Sequence, residues 1–243
     1  GGTAPARQIP LPPPEIRFAH RAFASDSYFL ESCLREADRL IRHAGLHRGS
    51  RVLDFGCGVG RLAIGILGRL GGVAAYCGID VLDRPVSWCH HHITPQHPSF
   101  RFIHSNAFSA RYNPDGMPPS PRFQLPLPDR SFEIVCANSV LCHMTSEEAA
   151  AHLSEFSRCL TSGGRAFITA FLETDVPDET VNPKGYRRAW KGPLHCVRYE
   201  RGFFLRLARN AGLAVVDFSH GSEPLGQSAI YLEKDAGRPE QPL

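Results

Sequence analysis

The sequence predicts an α/β fold: a mostly parallel sheet of seven strands, one of them antiparallel, with helices on both faces. Three observations carry this. Segments of strand character alternate with segments of helical periodicity through the first five strands, the pattern of parallel strands joined by crossover helices. A glycine-rich turn, Gly56-Cys57-Gly58-Val59-Gly60, joins the first strand to the helix that follows it. An acid, Asp80, ends the second strand, at the edge where ligands bind in such sheets.

The elements follow in order. Residues 1–25 are expected to form an extended N-terminal arm, because five prolines crowd its first 14 positions. From Asp26, apolar residues recur at three- and four-residue steps (Phe29, Leu30, Cys33, Leu34, Ala37, Leu40, Ile41), which predicts a helix capped by Ser25 or Asp26 and ended by Gly45. Strands are expected at 51–55, 73–79, 100–103, 131–137 and 165–171, with helices at about 61–70, 83–93 and 146–160. Thr145 or Ser146 would cap the last of these, with Glu147 and Glu148 in its first turn. A helix at about 199–211 and strands at 213–218 and 228–233 close the pattern. One domain is expected over 26–235, with loop insertions at about 109–128 and 172–198 and a tail at 236–243. The first insertion lies in a stretch, 105–130, that holds six prolines and Gly116.

Composition narrows the function classes. The chain has 243 residues, enough to bury a substantial core. A net charge of +3 with no basic run argues against nucleic acid and anionic membranes as partners. No apolar stretch approaches the roughly 20 residues a membrane span needs, and the N-terminus lacks a basic-then-apolar signal pattern. The eight cysteines include no Cys-x-x-Cys pair and several lie inside apolar runs, so buried reduced thiols in a cytoplasmic protein are expected.

The glycine turn carries the chemistry. It puts bare backbone and a helix N-terminus at the carboxyl edge of the sheet. A dinucleotide fingerprint needs glycine at its sixth position, and Arg61 stands there instead. Asp54, two residues before the first glycine, suits a ligand with an ammonium group better than a pyrophosphate. Asp80 could accept from both hydroxyls of a ribose, or merely cap the next helix. Asn106, just past the third strand, could read an adenine edge or serve as a turn residue.

These residues resemble class I S-adenosylmethionine-dependent methyltransferases, a Rossmann-like family. Val52-Leu53-Asp54-Phe55-Gly56-Cys57-Gly58-Val59-Gly60-Arg61 resembles its first motif and Gly78-Ile79-Asp80 its second. Residues 125–135 resemble the approach to its fourth strand, and 153–169 the region of its fifth. A bacterial subfamily with Trp-Cys, Tyr-Asn-Pro-x-Gly and Ser-Val-x-x-His-Met motifs is similar at Trp88-Cys89, Tyr112 to Gly116 and Ser139 to Met144. The resemblance implies S-adenosylmethionine as co-substrate. Asp54 and the backbone of Gly56 and Gly58 would hold its methionine end, Asp80 its ribose and Asn106 its adenine, with Cys57, Gly60, Arg61, Val81 and Ala107 also among the cofactor-binding residues. Asn138 and Ser139 would border the sulfonium. Asn106 stands where the family usually has Asp.

Methyl transfer needs two aligned partners and, for many acceptors, a place for a proton. His143, just past the fourth strand, is the first candidate base, or else a residue that only hydrogen-bonds the cofactor carboxylate or a neighbouring backbone group. His195 is the second, or else an unremarkable loop residue. Phe108, Tyr112, Phe123, Tyr186 and Trp190 would line an acceptor pocket or anchor the two insertions. His90-His91-His92 point about 100° apart on a helix and cannot converge on one metal ion, so no metal is expected. The reading is a methyltransferase acting on an O or N atom of a small-molecule acceptor. An RNA or protein methyltransferase and a catalytically silent partner subunit remain as alternatives; oligomeric state is left open.

Overall fold

In the computed structural model, residues 9–17, 21–118 and 123–235 are described. Helices and strands alternate as α1 (Asp26–Ala44), β1 (Arg51–Phe55), α2 (Arg61–Leu70), β2 (Ala75–Asp80), α3 (Asp83–His92), β3 (Phe100–His104), β4 (Phe132–Ala137), α4 (Ser146–Cys159) and β5 (Leu160–Glu173). The strands lie side by side in the order β3-β2-β1-β4-β5, all parallel. The chain leaves β1 toward β2 and β3, then returns on the other side as β4. That reversal opens a crevice at the carboxyl ends of β1 and β4.

Beyond β5, β9 (Ser228–Lys234) pairs antiparallel with both β5 and β8 (Leu213–Ser219). These are the seven expected strands, with β9 the antiparallel one. The described sheet nevertheless has nine strands, not seven. β6 (Glu179–Val181) and β7 (Val197–Glu200) lie inside the 172–198 segment that was expected to be an irregular insertion. β7 pairs parallel with Phe171–Glu173 at the tip of β5, and β6 pairs antiparallel with β7. Both are too short and too interrupted by neighbouring prolines to show a period of their own; pairing with β5 makes them strands. The same pairing takes Tyr199 and Glu200 out of the expected helix. α5 therefore runs Arg201–Asn210, capped by the Glu200 carboxylate, which accepts from the Phe203 N–H at 2.6 Å.

α1, α2 and α3 cover one face of the sheet and α4 and α5 the other. α1 and α2 meet at Gly65, where a Cβ would stand 2.0 Å from the Cys33 carbonyl oxygen, so nothing larger than glycine fits. Ser25 caps α1, Gly45 ends it in the left-handed region at φ 73°, and Thr145 opens α4 with a capping box on Glu148. Gly163-Gly164 form a bulge inside β5, whose register with β4 jumps from Phe132↔Leu160 to Ile134↔Arg165.

The described part of the N-terminal arm mixes extended backbone, at Pro13 and Arg17, with short turns. Pro14–Ile16 and Arg21–Ala24 are 3-10 turns. Buried Arg17 ties them down, donating to the Pro12 carbonyl at 2.7 Å, the Phe23 carbonyl at 2.9 Å and the Asp26 carboxylate. Residues 1–8 and 18–20 of the arm, the 236–243 tail and residues 119–122 of the 109–128 insertion lie outside the described residues.

The 105–118 part of the first insertion closes on itself. Phe108 N–H donates to the Met117 carbonyl and Met117 N–H to the Asn106 carbonyl, each at 2.7 Å. Asn113 Nδ2 bridges the Asn106 side chain (3.1 Å) and the Ala107 carbonyl (3.0 Å). A Cβ on Gly116 would lie 2.5 Å from both the Ala107 oxygen and Asn113 Nδ2, so asparagine and glycine in Tyr-Asn-Pro-x-Gly are a clamp and the gap it closes through. Gly116→Val should therefore open the loop, at a cost of about 1–3 kcal/mol. Trypsin should cut after Arg111 in the variant well before it does in the wild type; equal cleavage rates would count against the clamp.

Candidate functional site

The crevice at the carboxyl ends of β1 and β4 is built around the glycine turn. The N–H groups of Gly56 and Cys57 both donate to the Ile79 carbonyl, at 2.8 and 3.1 Å. Gly56 has φ 79°, and a Cβ there would lie 2.4 Å from Val140 Cγ2, so conformation and space both demand glycine. Gly58, at φ 49°, has no heavy atom within 4 Å of where a Cβ would stand. Its bare backbone faces open space, as close ligand approach requires. Cys89 of the Trp88-Cys89 pair backs the turn, its Sγ 3.8 Å from the Gly58 carbonyl oxygen, while Trp88 stacks on His92.

Asp80 clips this turn to the next one. Its Oδ2 accepts from Gly58 N–H at 2.8 Å and its Oδ1 from Leu82 N–H at 2.9 Å. It does not cap α3, whose N-cap is Leu82 without a side-chain bond. Each carboxylate oxygen keeps further acceptor capacity, and burial raises the group above its ordinary pKa. Val81 follows directly, its carbonyl oxygen 3.2 Å from His104 Nε2. Asn106 and Ala107 lie past β3, tied to Asn113 as described.

At the tip of β1, buried Asp54 accepts a hydrogen bond from the Tyr76 hydroxyl. Burial, and then the neighbouring Glu36 carboxylate, push its pKa up to about 7. Arg61, first residue of α2 after Gly60, pairs with Glu36 at 2.9 Å. Past β4, Asn138 Nδ2 donates to Glu36 Oε1 at 2.9 Å. Ser139 is held in the left-handed region at φ 59°, a strained setting for a residue with a Cβ. Its N–H donates to Thr169 Oγ1 at 2.7 Å, and Gln227 Nε2 donates to its hydroxyl at 3.1 Å.

Asp54, the glycines, Cys57, Arg61, Asp80, Asn138 and Ser139 thus gather at one crevice. His143 belongs to a neighbouring cluster. It ends a 3-10 turn (Leu141–His143), with Nδ1 3.0 Å from the Leu194 carbonyl oxygen and its ring edge-on to Tyr112 at 5.4 Å. That carbonyl accepts, so Nδ1 carries the proton and Nε2 the lone pair. Burial first, then Arg111 and His195, lower its pKa to about 4. His195 has both ring nitrogens engaged, Nδ1 with the Lys191 backbone at 2.8 Å and Nε2 with the Arg188 guanidinium at 3.0 Å. Among the aromatics, Tyr186 and Trp190 pack on Phe171 and Phe123 on His152, whereas Phe108 and Tyr112 are exposed.

The sequence reading missed Glu36, Tyr76, Arg111, Thr169 and Gln227. Glu36 had a signal: a charge at a core-facing position of the α1 apolar stripe. The others become neighbours only in the folded chain. His91 and His92 each bond a carbonyl of their own helix, and among the described residues no group of three or more His, Cys, Asp or Glu is placed to hold a metal ion. Nor is any described helix long and apolar enough to cross a membrane.

A family model described as a methyltransferase domain matches residues 15–217, which span α1 through α5. The chain belongs to that family. Solved structures share the fold. A Burkholderia thailandensis 1,6-didemethyltoxoflavin-N1-methyltransferase, with its substrate and S-adenosylhomocysteine bound, is 20% identical, with 86% of this chain and 81% of that one covered and a TM-score of 0.59. A putative sarcosine dimethylglycine methyltransferase from Galdieria sulphuraria is 13% identical, with 85% and 86% covered and a TM-score of 0.60. The [4+2]-cyclase SpnF is 17% identical, with 84% and 81% covered and a TM-score of 0.59. The methyltransferase is an enzyme whose cofactor is S-adenosylmethionine, and the crevice fits such a group: Gly58 offers open backbone and Asp80 a carboxylate with acceptor capacity to spare.

Proposed function

We propose that this methyltransferase acts in the cytoplasm on an O or N atom of a small, anionic acceptor. The carrying observation is the surface beside the crevice. Arg111 and Arg188 face Tyr112 and Trp190 at 5.3 and 4.5 Å, and neither ion-pairs with an acid among the described residues. Arg111 Nε is buried without a hydrogen-bond partner. Two arginines over aromatic rings, near His143 and His195, suit a carboxylate or similar anion. The patch is local, so it favours a compact ligand over the phosphate track of an RNA. The resemblance of Trp88-Cys89, Tyr112 to Gly116 and Ser139 to Met144 to one bacterial subfamily belongs to the same proposal. The eight buried, unpaired cysteines support a reducing compartment.

S-adenosylmethionine supplies an activated methyl group on sulfur; the chain holds and orients. Asp54 and the backbone of Gly56, Cys57, Gly58 and Gly60 would hold the amino-acid end, Asp80 and Val81 the ribose, Asn106 and Ala107 the adenine. Asn138 and Ser139 would line the sulfur. The acceptor would lie against Arg111, Tyr112 and His143, with His143 Nε2 as acceptor for its proton. His195 would fix Arg188.

Labelled S-adenosylmethionine, offered with matched carboxylate-bearing and neutral aromatic alcohols and amines, tests the reading. Turnover confined to the anionic members supports it. Methyl transfer to RNA or protein fractions alone would replace it with a macromolecular acceptor. Cofactor binding without any transfer would favour a silent partner subunit.

Asp54 adds a pH prediction. A cationic ligand group beside it favours its ionised form, so binding should release a proton below a pH of about 7. S-adenosylhomocysteine affinity should rise from pH 6 to 8 and level off above, and the slope should vanish in Asp54→Asn. Calorimetry in buffers of different ionisation enthalpy reads the proton directly; a flat wild-type profile would contradict the assignment.

A further inference from the structure

His143 sits among cations and neutral groups. Arg111 and Tyr112 face it from the 105–118 loop, His195 with Arg188 bonded to it from the second insertion, and the buried thiols Cys142 and Cys196 lie beneath. Tyr199 of β7 donates to the Leu141 and Met144 carbonyls on either side of it. Among the described residues, no acid hydrogen-bonds or ion-pairs with His143, Arg111 or Arg188.

A histidine that takes a proton from a weak acid needs a partner for the imidazolium it becomes, commonly a carboxylate. His143 has only the neutral Leu194 carbonyl, at 3.0 Å, and burial and the Arg111 charge both oppose its protonation. An aliphatic alcohol is too weak an acid for such a base, whereas a phenol ionises at about 10 unaided. Arg111 supplies what His143 lacks. Its Nε is buried without a hydrogen-bond partner, and its guanidinium lies 5.3 Å from the Tyr112 ring. It already acts on that one phenol: burial raises the Tyr112 pKa, and Arg111 works against the rise. The Asp80 charge also reaches the Tyr112 hydroxyl, which puts this loop beside the cofactor crevice. Arg188 is placed differently, fixed by His195 Nε2 at 3.0 Å and lying over Trp190 at 4.5 Å.

We propose that the acceptor is an acid at the reacting atom, a phenol, an enol or an imide-like ring N–H, methylated as its anion, with Arg111 holding the charge on that atom and Arg188 a second, permanent anionic group. This rests on the small-anion reading above and narrows it. Aliphatic alcohols are excluded by the missing acid behind His143, and ammonium groups by the two guanidiniums. The acceptor's proton leaves through His143 Nε2 to water. A lone pair of the anion then bonds to the methyl carbon, and the electron pair of the broken carbon–sulfur bond stays on sulfur, leaving neutral S-adenosylhomocysteine.

The chromogenic phenol 4-hydroxy-3-nitrobenzoate, titrated spectrophotometrically on the full chain with S-adenosylhomocysteine bound, tests this. Its phenol pKa should fall about one unit or more on binding, as an opposite charge beside it requires. Arg111→Met should abolish most of the fall and Arg111→Lys should keep it. Arg188→Met should weaken probe binding about 10-fold and leave the fall in place. A bound pKa equal to or above the free value, or a full fall in Arg111→Met, overturns the proposal while leaving the small-anion reading intact. A wild-type protein that does not bind the probe refutes that reading and the proposal with it.

Discussion

Asp80→Ala should weaken S-adenosylhomocysteine binding about 100-fold or more. Two ribose hydroxyls donating to a carboxylate contribute about 1.5–3 kcal/mol each, and each 1.4 kcal/mol is tenfold in affinity. The structure adds a second reason. Asp80 also holds the N–H groups of Gly58 and Leu82, so alanine frees the backbone that must meet the ligand. Asp80→Asn keeps one acceptor oxygen and should fall between wild type and alanine. Calorimetry with both variants and with NAD decides the matter. Unchanged affinity in Asp80→Ala, or tight NAD binding by the wild type, would remove the basis for the ribose assignment.

The second large effect concerns His143. With an acceptor in hand, His143→Ala should lower kcat about 100-fold and leave S-adenosylhomocysteine affinity nearly unchanged. General bases contribute about 10²–10⁴, and the low end applies because a pKa of about 4 makes this imidazole a weak proton acceptor. The same value moves the acid limb of the wild-type rate down from the ordinary histidine range toward pH 4, so activity should not fall through His143 between pH 6 and 8. The opposite pattern, weak cofactor binding with kcat at saturation intact, would make His143 an anchor. Stability carries a matching signature. The folded pKa lies below the unfolded value of about 6.5, so the unfolded chain binds the extra proton as pH drops. The stabilising effect of a neutral His143 is complete above about 6.5 and is lost between there and about 4. His143→Gln should flatten that part of the melting-temperature profile.

Much of the cofactor side was legible because it is local. A strand, a tight glycine turn and a helix start are consecutive in sequence, and Gly56, Gly58 and Gly60 are demanded by positive φ at alternate positions. Asp54 and Asp80 sit at fixed offsets from strands whose apolar runs announce them. The acceptor side was less legible. Arg111, His143, Leu194 and His195 lie as much as 84 positions apart in the chain, and only the packing of two loop segments brings them together. Periodicity says nothing about such neighbours. It says as little about β6 and β7, which are strands because β5 offers unpaired backbone, not because their residues alternate.

The sequence by itself determined the alternating α/β order, the mostly parallel sheet and the family, because each depends on patterns within one or two elements. Tertiary structure alone decided the environments. It buried Asp54 against Glu36 and raised its pKa, engaged both oxygens of Asp80 with backbone, turned the Tyr112–Gly116 motif into a clamp and fixed the His143 tautomer through Leu194. Charge, protonation and reach depend on what stands a few ångströms away, and in a folded chain those groups come from distant positions.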